Sequence, residues 1–157
     1  MDPFDRTFLS AANVAGLSMA SISRQIPLFR RCVGVDQAVL LLTHASRLDR
    51  PLAGDHLMLL TRERLVVTSE GRLFHRPHLH LDAAVAALRN VVWTPDPRLT
   101  SIELSLTAPD GFREHFLIKV RDPGALWHLE AALGYVFRPT GGGLRKLNPA
   151  ASLRKAA

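Results

Sequence analysis

Three histidines stand close together in the middle of the chain, in the segment Phe74-His75-Arg76-Pro77-His78-Leu79-His80. Neutral imidazole is a common ligand for zinc and copper, and side chains at positions 78 and 80 of a strand share one face. A closed metal site needs about four ligands, yet no cysteine lies near these histidines, and Pro77 separates His75 from the other two. A half-exposed strand face explains the cluster more simply. We therefore expect no metal and no cofactor.

The single cysteine, Cys32, follows Arg30 and Arg31, and neighbouring guanidinium groups can lower the pKa of a thiol. A lone thiol beside a helix end is nevertheless more typical of an inert side chain. No phosphate-binding loop, dinucleotide fingerprint or nucleophile elbow occurs in the sequence. We therefore predict that the chain is not an enzyme. Because Cys32 has no disulfide partner, we expect a reducing, cytoplasmic location.

Positive charge is concentrated at the two ends of the chain. Residues 1–34 carry a net charge of +2, residues 35–137 of −1, and residues 138–157 of +5, out of +6 overall. The last segment has no acidic residue, contains three consecutive glycines from Gly141 and lacks apolar periodicity, which predicts a flexible basic tail. The nearly neutral body argues against a dedicated nucleic-acid-binding domain. The candidate contacts of the tail with an anionic surface are Arg145, Lys146, Arg154 and Lys155.

The elements that would position these residues are short strands. Two runs rich in Leu and Val, His56 to Thr61 and Arg64 to Ser69, flank the charged pair Arg62-Glu63 and predict a hairpin. Gly71 predicts the turn that follows, because glycine adopts positive φ without steric cost. We expect a preceding strand over Gln37 to Leu48.

A second hairpin shows the clearest alternation in the chain. Thr100 to Thr107 and Phe112 to Val120 are joined by Pro109-Asp110-Gly111, a strong turn signal. A helix should follow, with Asp122 as its N-cap and Pro123 at its first position. We expect the hairpin to bury Ile102, Leu104, Leu106, Phe112, Phe116, Ile118 and Val120, and the helix to bury Leu126, Leu129, Leu133, Val136 and Phe137.

Two segments between the hairpins are harder to assign. Pro77 lacks a backbone N–H, so Arg72 to Leu81 predicts an edge strand or a bent strand. Leu81 to Asn90 is helical in composition but leads into the β-branched pair Val91-Val92. Both a helix and the entrance to a strand therefore remain open for it.

Residues 4–26 predict one amphipathic helix, ended or kinked by Pro27. Its apolar residues recur every three or four positions and so form one stripe. Three interpretations are open: the stripe packs on the domain, it mediates self-association, or it lies on a membrane surface. The first is the simplest. The stripe consists of Phe8, Ala12, Ala15, Met19, Ile22 and Ile26.

The order of these elements resembles the pleckstrin-homology-like (PH-like) superfold. In bacterial PH domains a Leu-Thr-x-x-Arg-Leu pattern joins two strands, and here the matching residues are Leu60, Thr61, Arg64 and Leu65. The resemblance covers residues 37–137 and implies an antiparallel β-barrel or sandwich closed by a C-terminal helix. The N-terminal helix is an addition that such a domain does not require. We therefore divide the chain into a helical extension (1–34), a PH-like domain (35–137) and a basic tail (138–157).

The resemblance implies a binding or assembly module without catalysis, and it transfers no functional residue to a numbered position. We expect a partner protein or an anionic membrane surface as the ligand, the latter at the inner face of the membrane. Homo-oligomerisation through the N-terminal helix is a further expectation. Weak nucleic-acid binding through the tail is the alternative, and an unrecognised enzyme is a more remote one.

Overall fold

The computed structural model describes residues 1–50, 53–71 and 76–138. Two helices begin the chain, α1 (Pro3–Ala15) and α2 (Met19–Cys32), and α3 (Pro123–Phe137) ends the described part. The strands between them are β1 (Leu41–Arg47), β2 (Asp55–Leu60), β3 (Arg64–Glu70), β4 (Pro77–Ala84), β5 (Arg89–Asp96), β6 (Ser101–Thr107) and β7 (Arg113–Lys119).

The seven strands form one antiparallel sheet in the order β4-β3-β2-β1-β7-β6-β5. This arrangement confirms the predicted mainly β fold class, an antiparallel sheet followed by a C-terminal helix. The alternative prediction of a closed barrel was wrong, because the end strands β4 and β5 do not pair with each other in the described part of the chain. The sheet bends around a core instead, so the sandwich alternative is the correct one.

The inner core lies between the two halves of the sheet and α3. The predicted faces of β6, β7 and α3 meet there, with Ile102, Leu104, Leu106, Phe116 and Ile118 fully buried against Leu126, Leu129 and Leu133. Asp122 caps α3 as predicted, its Oδ1 accepting a hydrogen bond from the N–H of Ala125 at 2.8 Å. Phe112 departs from the prediction: it precedes β7 in the turn and is 71% exposed. The inward position at the start of β7 belongs to Glu114.

A second, outer core covers the opposite face of β1, β2 and β3. Phe4 and Phe8 of α1 and Phe29 of α2 are fully buried there. The ring centroid of Phe8 lies 5.4 Å from that of Phe4 and 5.8 Å from that of Phe29. They pack on the sheet residues Leu42, Leu57, Leu59 and Val66. The interpretation that the N-terminal apolar stripe packs on the domain is therefore confirmed for Phe8, Ala12 and Ile22, whereas Met19 is 72% exposed.

The single helix predicted for residues 4–26 is in fact two helices. Gly16 ends α1 in the left-handed conformation (φ 73°), and Ser18 caps α2 by accepting a hydrogen bond from the N–H of Ser21 at 3.1 Å. Both are standard helix-boundary signals that the apolar spacing conceals. Pro27 does not end a helix, as had been predicted, but lies within α2. A proline inside a helix lowers its stability by about 3 kcal/mol or more. Burial of the neighbouring side chains Leu28 and Phe29 offsets this cost.

The ambiguous middle segment is mostly extended. Pro77 begins β4, an edge strand as predicted, and the helical composition of 81–90 yields only a 3-10 turn, Val85–Ala87, between β4 and β5. The predicted tail contacts Arg145, Lys146, Arg154 and Lys155, together with His75, lie outside the described residues.

The outer core makes the helical pair an integral part of the folded unit. We expect Phe8→Ala to lower the free energy of unfolding by about 3–5 kcal/mol, because a fully buried ring is replaced by a cavity. Met19→Ala, on the exposed side of α2, should change it by less than about 0.5 kcal/mol. Urea denaturation followed by circular dichroism measures both. Similar small losses in the two variants would mean that α1 does not pack on the sheet in solution.

Candidate functional site

A groove of about 590 Å³ lies between the C-terminal end of α1, strand β1 and the N-terminal end of α3. Its floor is apolar and includes the buried side chains Leu41, Leu42 and Leu129. Val14 of α1 forms part of one wall and is 70% exposed. A volume of this size lies within the range of about 300–1,000 Å³ that is usual for ligand pockets.

The groove exists because β1 and β7 diverge. The two strands pair at Ser46 with Leu117 and at Arg47 with Phe116, and the same register would set His44 opposite Lys119. No such pair forms, so the Leu41–Ala45 segment of β1 is paired on one side only, by β2. The part of β1 that lines the groove is therefore a free strand edge.

Basic groups surround this apolar floor. Lys119 and Arg121 contribute two cations, and His44 and His128 contribute two imidazoles. No hydrogen bond or ion pair ties these four side chains to another described residue. Asp122 is the one carboxylate among the described residues of the lining, and it already caps α3. The lining is consequently suited to a ligand that is both apolar and negatively charged.

The guanidinium of Arg121 lies beside the left-handed turn at Gly16 that ends α1. A Cβ atom on Gly16 would lie 2.7 Å from Nη2 of Arg121, so a larger residue at position 16 would require this flexible side chain to move. α1 is itself anchored to the segment that leads into β1, since the hydroxyl of Thr7 accepts a hydrogen bond from the N–H of Val39 at 2.8 Å. The wall of the groove thus has a defined position relative to β1.

No motif in the sequence indicated these residues, because the lining comes from three elements far apart in the chain. The available signal was weak: two cations, Lys119 and Arg121, flank Val120 immediately before the helix cap. Their side chains act together with α1 only after folding.

A buried polar cluster lies at the other end of β1 and β7. Nη2 of Arg47 is 3.4 Å from a carboxylate oxygen of Glu114, and Nε2 of His80 is 3.3 Å from the same carboxylate group. The His56 and His80 rings meet edge to face at 5.4 Å between centroids, and both contact the ring of Phe116. The carboxylate thus pairs with the guanidinium of Arg47 and lies within hydrogen-bond distance of the imidazole of His80 at the edge of the core.

The predicted histidine cluster is divided by a β-bulge. Val67 pairs with Leu81 and Thr68 with Leu79, which leaves His80 as the extra residue of β4. His80 contacts Phe116 in the core, whereas His78 is exposed, so the two do not form a pair of ligands. Within the described ranges, no group of three or more His, Cys, Asp or Glu side chains converges as metal ligands.

Burial lowers the pKa of His56, and the neighbouring His80 and Arg47 lower it further. The backbone of Gly54 and the carboxylate of Asp55 raise the pKa of His56, but by less than the other groups lower it. His56 is therefore neutral in the folded protein around pH 7, as expected for an imidazole that is 2% exposed.

The remaining candidate groups do not form a reactive site. Burial, and to a smaller extent Asp82, raise the pKa of the Cys32 thiol, while Arg64 and Arg31 lower it by less. The net increase in pKa disfavours the thiolate. A cleft of about 320 Å³ between α2 and the β2–β3 hairpin is bridged by an ion pair of 2.8 Å between Arg24 and Glu70. No helix in the described part of the chain is long and apolar enough to cross a membrane.

Comparison with known proteins gives distant structural similarity only. No family model matches the chain, and no curated protein matches it. The Ran binding domain of the nuclear pore component Nup2 from Ashbya gossypii is 20% identical over 64% of this chain and 96% of that one, with a TM-score of 0.43. Autoinhibited Vav1 is 15% identical over 88% of this chain and 27% of its own length, with a TM-score of 0.42. Similarities of this extent identify neither a ligand nor a reaction.

The depressed pKa of His56 predicts a loss of stability in mild acid. The unfolded chain protonates this imidazole near its usual pKa of about 6.5, whereas the folded chain resists protonation. Below about pH 6.5 the unfolded state therefore binds more protons, and the free energy of unfolding decreases. We expect His56→Gln to reduce this decrease between about pH 7.5 and about pH 5, measured by urea denaturation. The exposed His78→Gln is the matched control and should retain the wild-type pH dependence; the same dependence in His56→Gln would contradict the assignment.

Proposed function

We propose that this chain is a non-catalytic PH-like interaction module that docks a partner protein in the groove between α1, β1 and α3. The observation that supports it is the combination of an apolar floor with four basic groups that lack partners among the described residues. In the cleft between α2 and the β2–β3 hairpin, by contrast, Arg24 forms an ion pair with Glu70. Val14 adds an exposed apolar side chain beside these basic groups, and exposed apolar surface rimmed by polar groups is a feature of interaction sites.

The titratable groups near the cores also support a module without catalysis. The raised pKa of Cys32 disfavours a nucleophilic thiolate, and the imidazole of His56, which borders the cleft between α2 and the β2–β3 hairpin, is only 2% exposed. A nucleophile and a base within hydrogen-bond reach would be the minimum for covalent catalysis. Binding accounts for the groove without that requirement.

Site-specific photo-cross-linking tests the proposal. We expect benzoylphenylalanine at position 14, on the groove wall, to capture a discrete protein from extracts of the source cells after irradiation. The matched control carries the same group at Leu99, which is 68% exposed between β5 and β6, and should capture little. Equal capture at both positions, or none at position 14, would contradict docking in the groove. A product of twice 17.3 kDa would instead identify a second copy of this chain as the partner.

A second proposed function is contact of the basic tail with an anionic membrane, supported by its net charge of +5 without an acidic residue. A polybasic segment gains about 1 kcal/mol per Lys or Arg near an anionic leaflet. Arg145, Lys146, Arg154 and Lys155 would provide most of this attraction. The proposal includes a cytoplasmic location, peripheral at the inner membrane face while the tail is bound.

Vesicle sedimentation tests the tail. The full chain should bind vesicles with roughly 30% phosphatidylserine at low salt, release them as salt shortens the Debye length, and lose binding when truncated after Phe137. Equal binding by the truncated chain would exclude the tail as the contact. A parallel titration with duplex DNA distinguishes the nucleic-acid alternative, in which DNA rather than vesicles is bound by the full chain.

A further inference from the structure

The free edge of β1 indicates what kind of ligand the groove takes. Over Leu41–Ala45, β1 pairs with β2 on one side, and its other side faces the space opened by the divergence of β7. Unpaired N–H and C=O groups along a strand edge are a template for another strand. A segment added there would form backbone hydrogen bonds for affinity, while alternate side chains would enter the groove for selectivity.

The basic groups around the groove indicate which side chains that segment would carry. Lys119 and Arg121 border the groove on the side of β7 and α3, and His44 and His128 lie on β1 and α3. A segment with acidic side chains would compensate these groups, whereas a basic segment would be repelled. The tail of this chain is therefore excluded as an occupant on charge, since residues 138–157 contain five basic and no acidic residues.

The geometry also favours a polypeptide over a lipid headgroup. The groove is walled by α1 on one side and α3 on the other, and its floor contains the apolar side chains Leu41, Leu42 and Leu129. A headgroup would neutralise the cations but would leave the strand edge without partners. An extended peptide satisfies the strand edge, the apolar floor and the cations together.

We propose that the groove binds an extended acidic segment of a partner protein, which pairs with β1 and sets its carboxylates against Lys119 and Arg121. The inference rests on the proposed function and adds the chemistry of the partner. Val14 and Leu42 provide apolar contacts for the side chains that point into the groove. The helical pair is what makes this possible, because α1 supplies one of the two walls.

Peptide pools of defined composition test this inference. The acidic probe is a fluorescein-labelled pool of peptides about nine residues long, a usual strand length, with Glu or Asp alternating with Val, Leu or Thr. The control pool has Lys in place of the acidic residues. Fluorescence anisotropy with the full chain should show saturable binding of the acidic pool and not of the basic pool. Equal binding of the two pools, or binding of neither, would overturn the inference.

Two charge-reversed variants locate the contact. Lys119→Glu with Arg121→Glu should weaken binding of the acidic pool by about tenfold or more, because two favourable ion pairs become repulsive. Arg89→Glu with Arg98→Glu changes the net charge equally at exposed positions on and beside β5, and should leave binding close to the wild-type level. Equal weakening in both variants would indicate non-specific attraction and would overturn the inference.

Backbone methylation of the tightest peptide from the acidic pool tests strand pairing. N-methylation at one set of alternate residues should abolish binding, whereas methylation of the other set should be tolerated, because a strand donates to its neighbour only from every second residue. Loss with both sets, or with neither, would exclude strand addition to β1.

The result separates this inference from the proposed function. If position 14 captures a protein but the acidic pool does not bind, only the acidic-strand inference fails. If position 14 captures nothing, the proposed function fails. If the Lys119→Glu, Arg121→Glu variant loses vesicle binding instead of peptide binding, the groove recognises a membrane, and the inference is overturned.

Discussion

The structure depends on the burial of both faces of the sheet formed by β1, β2 and β3. Side chains of β2 and β3 alternate between two cores, with Met58 and Val67 entering the inner core and Leu59 and Val66 entering the outer one. An antiparallel sheet usually exposes one face to water. Here a layer of helices must cover the second face, so α1 and α2 are part of the fold's stability rather than an appendage to it.

This covering layer also creates the candidate site. α1 is joined to the segment before β1 by the hydrogen bond between Thr7 and Val39, and to the sheet by the buried rings of Phe4 and Phe8. Its last turn lies beside β1 where β7 diverges. The groove is therefore bounded by the N-terminal helix α1 together with the strand β1 and the C-terminal helix α3.

The two ends of β1 have different characters. At one end Arg47, Glu114, His80 and His56 form a polar cluster against Phe116, in which Arg47 and His80 contact the Glu114 carboxylate and His56 packs on aromatic rings. At the other end the basic groups of the groove have no partner among the described residues. Paired charges stabilise a fold, whereas unpaired charges at an apolar surface are available to a ligand, and this difference separates a structural cluster from a binding site.

The sequence by itself determined the local features of this protein: the inward face of β6, the Asp122-Pro123 start of α3 and the apolar surface of the N-terminal helices. These follow from periodicity and capping, which act between residues close in the chain. Tertiary structure alone decided that Phe8 packs on the sheet rather than on a second copy of the chain. It also decided that a β-bulge directs His80 inward and that β1 and β7 diverge beside Lys119 and Arg121. Each of these depends on contacts between distant segments, and no short stretch of sequence contains both partners of such a contact.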